Sequence, residues 1–230
     1  MNLEKSLTQS IHRSSQKGRS AVLFTGGLDS TVLALLAAPR KPLLVFAAID
    51  APECQRYNDT SITLCQKIAA LLGLRFFSVK IRKSDYLRHF QNTIKIIRQP
   101  IADKDLPAVN YLLKTLKKIG ISSVLSGIGS DEIFSLPKAQ LRSFLEHKAK
   151  STLKNHKKIA GQYGISFHCP YLSPAIIRYG LSTPSGQKNH KQALQTILKE
   201  QPPIYKILKD RNAAHSIIPV NFWAALTQAY

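Results

Sequence analysis

A short apolar run at residues 21–24 gives way to Thr25-Gly26-Gly27-Leu28-Asp29-Ser30-Thr31 and then to an apolar stretch at 32–36. That order predicts a buried strand, a tight glycine turn and the first turn of a helix. A strand–glycine–helix junction gathers unpaired backbone N–H groups at the positive end of a helix dipole, a natural place for a phosphate. Gly26 and Gly27 let the backbone approach an anion, and Thr25, Ser30 and Thr31 can add hydroxyl donors. Asp29 would repel a phosphate unless a divalent cation lay between them, so the turn points to Mg²⁺ with a polyphosphate. The spacing fits neither a Walker loop nor a Gly-x-Gly-x-x-Gly dinucleotide turn. The alternative is a purely structural turn capped by Asp29 or Ser30.

The rest of the chain repeats the alternation. An apolar run of strand length occupies 43–49, an alternating strand pattern 75–81 and a further strand 121–125, and helical spacing marks 31–38, 61–74, 84–97 and 106–119. Such alternation predicts an α/β fold, a parallel twisted sheet with helices on both faces and ligands at the carboxyl ends of its strands. Residues 1–20 read as a polar N-terminal segment, with a helix expected over 1–18, and 21–134 as the α/β core. Residues 135–230 read as a basic, helical C-terminal portion packed on that core, with helical patterns at 141–160, 192–200 and 204–208. The fourth strand runs into Ser126-Gly127-Ile128-Gly129-Ser130-Asp131-Glu132, a second glycine turn carrying acids. Two such turns in one sheet could face a single nucleotide, with Asp29 and Asp131 sharing its metal.

Charge sets this chain apart. Lys and Arg number 33 against 13 acids, a formal +20 over 230 residues. A triphosphate site needs only a few of those cations, so the excess suggests an anionic partner: RNA, an acidic peptide or an acidic protein subunit. A solvated basic surface is the bland alternative. Cys54, Cys65 and Cys169 are too widely spaced for a zinc pattern or a disulfide framework, and they suit a reducing cytoplasm and burial as small hydrophobes. No apolar run approaches a membrane span, and the first twenty residues lack a secretory h-region, so the expected location is cytoplasmic with no membrane partner.

With both turns in view, the chain resembles the synthetase domain of asparagine synthetase and its relatives, the β-lactam-forming and lasso-peptide-cyclising synthetases of the pyrophosphate-loop ATP pyrophosphatases. The family's Ser-Gly-Gly-Leu-Asp-Ser-Ser matches residues 25–31, and its Leu-Ser-Gly-Glu-Gly-Ala-Asp-Glu-Leu-Phe matches 125–134. Its Pro-Phe-Leu-Asp resembles 170–173, its Lys-x-x-Leu-Arg resembles 191–195 and its Arg-x-Lys resembles 209–211. The resemblance implies an adenine nucleotide α-hydrolase-like fold and chemistry at the α-phosphate of ATP. A carboxylate is adenylated, pyrophosphate departs, and an amine captures the acyl group to give an amide and AMP. It implies that Thr25, Gly26, Gly27, Ser30 and Thr31, with Ser126 and Gly127 of the second turn, hold the pyrophosphate. Asp29 and Asp131 would bind Mg²⁺, Lys209 or Arg211 would stabilise charge near the α-phosphate, and Lys188 is a further phosphate candidate.

Three departures bear on the second half of that reaction. Ile128 stands where the family has Glu, Thr152 falls near the place of an acid on the following helix, and Ser173 replaces the Asp of Pro-Phe-Leu-Asp. No glutaminase segment precedes the first turn, so the expectation is an amine from another substrate, or ammonia from a separate glutaminase or partner subunit. An amide-forming ligase is the favoured reading. An RNA-modifying ATP pyrophosphatase that adenylates a base carbonyl, and a non-catalytic nucleotide-binding subunit, are the alternatives.

Overall fold

The computed structural model describes residues 2–14, 18–184, 188 and 191–209. Five strands form one sheet: β1 (Arg19–Leu23), β2 (Leu43–Asp50), β3 (Phe76–Arg82), β4 (Ile121–Leu125) and β5 (Ser166–His168). Their order is β3-β2-β1-β4-β5, and every pairing is parallel. Parallel neighbours need crossovers, and helices supply them: α2 (Leu28–Ala37), α3 (Gln55–Leu71), then α4 (Lys83–Ile97) with α5 (Leu106–Lys118). The parallel sheet clothed on both faces agrees with the fold class expected from the sequence.

Burial on both faces explains the unbroken apolar runs. In β1 and β2, Val22, Leu44, Phe46 and Ala48 enter one core beneath α2 and α3. Ala21, Leu23, Leu43, Val45, Ala47 and Ile49 enter the other, beneath α4 and α5. Cys54 and Cys65 are fully buried, and burial pushes the thiols of Cys54 and Cys169 up, to about 11 and about 12. No described helix is long and apolar enough to cross a membrane.

The polar N-terminal segment is helical, in keeping with the helix expected over 1–18. Helix α1 (Leu3–Ser14) buries Leu3, Leu7 and Ile11, a four-residue spacing that lays one stripe against α2. Among the described residues after 134, one segment departs from the helical reading. After α6 (Ser130–Ser135) and α7 (Lys138–Ser143), a π-helical turn at Phe144–Lys148 leads into α8 (Ala149–Gln162). Then β5 pairs with β4 and forms the sheet's edge. Its three residues, Ser166-Phe167-His168, are too few to show a strand's period of two. Helices α9 (Pro174–Ser182), α10 (Gln192–Lys199) and α11 (Pro202–Lys209) complete the described chain. The sequence reading had no helix at α9, although Ser173-Pro174 is a regular helix opening.

Strand order locates the site. From β1 the chain moves outward through β2 to β3, then returns to place β4 on the other side of β1 and β5 beyond it. The direction of winding reverses between β1 and β4, and in open parallel sheets the crevice at such a reversal is where ligands bind. Both glycine turns leave the sheet there.

Candidate functional site

After β1, Phe24 keeps one more sheet contact, its N–H donating to Val45 O at 2.8 Å. The chain then turns through Gly26, whose φ of 69° suits glycine, and Gly27, the extended N-cap of α2. A Cβ on Gly26 would crowd Cys65 Sγ at 3.1 Å and Leu64 at 3.2 Å, so α3 leaves room only for hydrogen. No side chain caps α2, and Thr31 is the first residue whose N–H reaches back, to Gly27 O. The N–H groups of Leu28, Asp29 and Ser30 therefore have no partner within the helix. Ser30 Oγ accepts from Thr25 N–H at 3.3 Å and donates to Gly27 O at 3.2 Å, holding the turn in shape. Thr31 is fully buried, and its Oγ1 has no hydrogen-bond partner among the described residues; nor does Asp29 Oδ1.

The second turn lies directly alongside. Ser126 N–H donates to His168 O on β5, and Ser126 Oγ accepts from Ile128 N–H at 3.4 Å. A Cβ on Gly127 would lie 3.5 Å from the Asp29 Cβ, so the turns touch. Gly129, at φ 91°, opens α6, and any Cβ there would overlap the Leu172 side chain. Asp131 and Glu132 sit in the first turn of α6, where a helix dipole favours carboxylates. Burial raises the Glu132 carboxyl above the usual range.

Two further segments complete the site. Tyr171, fully buried, donates from its hydroxyl to Asp29 O at 2.9 Å and so braces the first turn. Lys191, immediately before α10, has a left-handed backbone with φ 56°. Its Nζ lies 2.6 Å from Asp29 Oδ2 and 2.6 Å from Asp131 Oδ1, so those two oxygens are at most twice that distance apart. Burial raises the Asp29 carboxyl, with the nearby ammonium opposing the shift. Burial works to lower the Lys191 ammonium, but the two carboxylates outweigh it and raise its pKa.

Sequence reasoning placed Lys191 only at the head of a weak family likeness. The available signal is the need for a cation between two acids, which a metal fits as well. Among the described residues no three His, Cys, Asp or Glu side chains gather around one point. Lys188, buried, donates from Nζ to Leu136 O at 2.9 Å at the end of α6. Lys209 is exposed at the end of α11. Arg211 lies outside the described residues.

Beside the second turn opens a cavity of about 580 Å³, walled by Ile128, Thr152, Asp103, His156, Asp131 and Glu132 among others. Ile128 and Thr152, two of the departures from the family pattern, thus line the same cavity. The unpaired N–H groups at α2, the orphaned Thr31 hydroxyl and the glycine approach fit a nucleotide's phosphates. The orphaned Asp29 Oδ1 and the neighbouring Asp131 carboxylate fit a cation beside them.

Residues 2–153 match the family model for asparagine synthase, most of the chain, and the chain belongs to that family. Proteins described as "Putative asparagine synthetase (glutamine-hydrolyzing)" from Mycobacterium tuberculosis and Mycobacterium bovis are 25% identical to it over 111 residues. Those residues make up 48% of this chain but only 16% of each relative, so the match spans a small part of the mycobacterial proteins. Among solved structures, the NMN synthetase of Francisella tularensis has a TM-score of 0.41 at 14% identity, over 98% of this chain and 93% of that one. A "predicted subunit of tRNA methyltransferase" from Methanocaldococcus jannaschii has a TM-score of 0.40 at 15% identity, over 80% and 88%.

Proposed function

We propose that this chain is an ATP-dependent, amide-forming synthetase that adenylates a carboxylate and passes the acyl group to an amine. The observation that carries the reading is the meeting of two glycine turns at the switch point, with Asp29 and Asp131 converging on Lys191. Thr25, Gly26, Gly27, Ser30 and Thr31, joined by Ser126 and Gly127, receive the departing pyrophosphate through N–H and hydroxyl donors. Asp29 and Asp131 hold Mg²⁺, which when bound offsets the negative charge of the phosphates. Lys191 holds the two acids in place in the free protein and lies ready to donate to phosphate oxygens. Lys209 and Arg211, close together in sequence after α10, serve the α-phosphate.

Catalysis of this kind is mostly positioning and charge stabilisation. The braces on Asp29, from Tyr171 through its backbone and Lys191 through its carboxylate, therefore act on the step that expels pyrophosphate. The test is carboxylate-dependent exchange of labelled pyrophosphate into ATP, with Mg²⁺ and a panel of carboxylic acids. Exchange with at least one acid, lost in Asp29→Asn and Asp131→Asn, is the expected result. No exchange and no AMP with any acid overturns the reading.

A further inference from the structure

The cavity beside the second turn has a charge at odds with the molecule around it. Among the described residues, the acids Asp103, Asp105, Asp131 and Glu132 line it against the cations Lys104 and Lys148, with Lys191 paired to Asp131. A +20 protein has concentrated negative charge at one opening, and low-dielectric walls focus such a field.

His156 adds a directional feature. The residue is only 2% exposed, wedged against Phe167 with ring centroids 4.9 Å apart, and it forms part of the cavity wall. Its Nδ1 lies 2.9 Å from Thr152 O, and since a carbonyl only accepts, Nδ1 carries the proton. Burial disfavours the imidazolium, so Nε2 presents a lone pair. Among the described residues Nε2 has no hydrogen-bond partner; Asp103 Oδ2 is 4.0 Å away, beyond hydrogen-bond reach. Asp103 Oδ1 is already committed to Asp105 N–H at 2.9 Å, which fixes the carboxylate. Two acceptors 4.0 Å apart, one anionic and neither able to donate, suit a nitrogen with two or more protons that sits about 2.8 Å from each. A protonated amine meets both the geometry and the charge. A hydroxyl has one proton and satisfies only one acceptor.

We propose that this cavity is a cation-selective pocket for a primary amine, whose ammonium docks between Asp103 Oδ2 and His156 Nε2. Its role as the acceptor pocket rests on the synthetase reading above, because Gly127, Ile128 and Asp131 belong both to its wall and to the second turn. The docking itself does not depend on that reading. The pocket also gives the neutral Ile128 a place: the amine is held by groups from the α4–α5 connection and α8 rather than by an acid in the second turn.

The probe is n-pentylamine, with 1-pentanol as its neutral counterpart, titrated calorimetrically into the full chain at pH 7.5 without nucleotide. Saturable one-to-one binding of the amine and none of the alcohol is expected. Asp103→Asn keeps the Oδ1 acceptor for Asp105 N–H and removes the charge, and it should weaken the amine about tenfold, the usual loss of a charge-assisted hydrogen bond. Thr152→Lys, which adds an ammonium to the wall, should abolish binding. Thermal unfolding of both variants confirms that they are folded. Equal binding of the alcohol, no binding of the amine, or an Asp103→Asn affinity equal to wild type overturns the proposal. Amine binding without pyrophosphate exchange would remove the synthetase reading and leave the pocket; exchange without amine binding would do the reverse.

Discussion

Lys191 reaches across 162 residues of chain to place its Nζ 2.6 Å from the Asp29 carboxylate. Asp131 approaches the same nitrogen from the other glycine turn, so the free protein supplies its own counter-charge to the paired acids.

Loss of that charge should be felt in stability. Lys191→Met leaves Asp29, whose side chain is 23% exposed, beside a second carboxylate with nothing between them. Urea unfolding should show a loss of about 1–3 kcal/mol, and Asp29→Asn in the same background should recover much of it. A double-mutant cycle with no coupling between the two sites would show the bridge to be energetically idle.

The two glycines at Gly129 and Gly161 should respond oppositely to alanine. At Gly129, φ 91° and the Leu172 side chain both exclude a Cβ, so Gly129→Ala should destabilise by more than about 1–2 kcal/mol and disturb the second turn. At Gly161, within α8, nothing lies within 4 Å of the added methyl, and Gly161→Ala should stabilise by about 0.5–1 kcal/mol. Equal shifts in thermal midpoint would contradict both assignments.

How much of this was legible without coordinates differs by residue. The turns at 25–31 and 125–131 could be read because paired glycines, hydroxyls and acids are seldom needed by a plain turn. The alternation let them be expected to face each other, but the strand order that sets β1 beside β4 is not encoded in periodicity. The α1 stripe of Leu3, Leu7 and Ile11 was present in the sequence but diluted by nine more polar neighbours in a 12-residue helix. Lys191 was hidden for another reason. One lysine among so many has no local signature, and its role comes from the left-handed backbone that aims it.

Helix α1 should prove integral to the fold. Leu7 is fully buried against α2 and α9, so Leu7→Ala should cost about 2–5 kcal/mol, as for other core leucines. A loss below about 1 kcal/mol in urea titration would mark α1 as a detachable appendage.

Acidification should weaken the protein through its histidines. His89, His156 and His168 are all held below the usual imidazole range, in each case chiefly by burial. Near pH 6 the unfolded chain therefore binds more protons than the folded one. Stability is complete above the unfolded value of about 6.5 and falls as pH drops below it. Asp29 and Glu132, raised by burial, act in the opposite sense at more acid pH. The urea midpoint should decline between pH 7.5 and 5.5; a midpoint that rose over that interval would show the imidazoles to be charged in the fold.

The pairing of β1 with β4 brings Arg19 beside Ile121, and Lys191 joins later still. A site drawn from such distant parts of the chain has no local precursor: during synthesis both turns can exist before the residue that reconciles their acids has been made. Loop-closure entropy must be met before any of these contacts gives a return. The pocket between the two turns should accordingly be among the last features to mature in folding, after the sheet has formed.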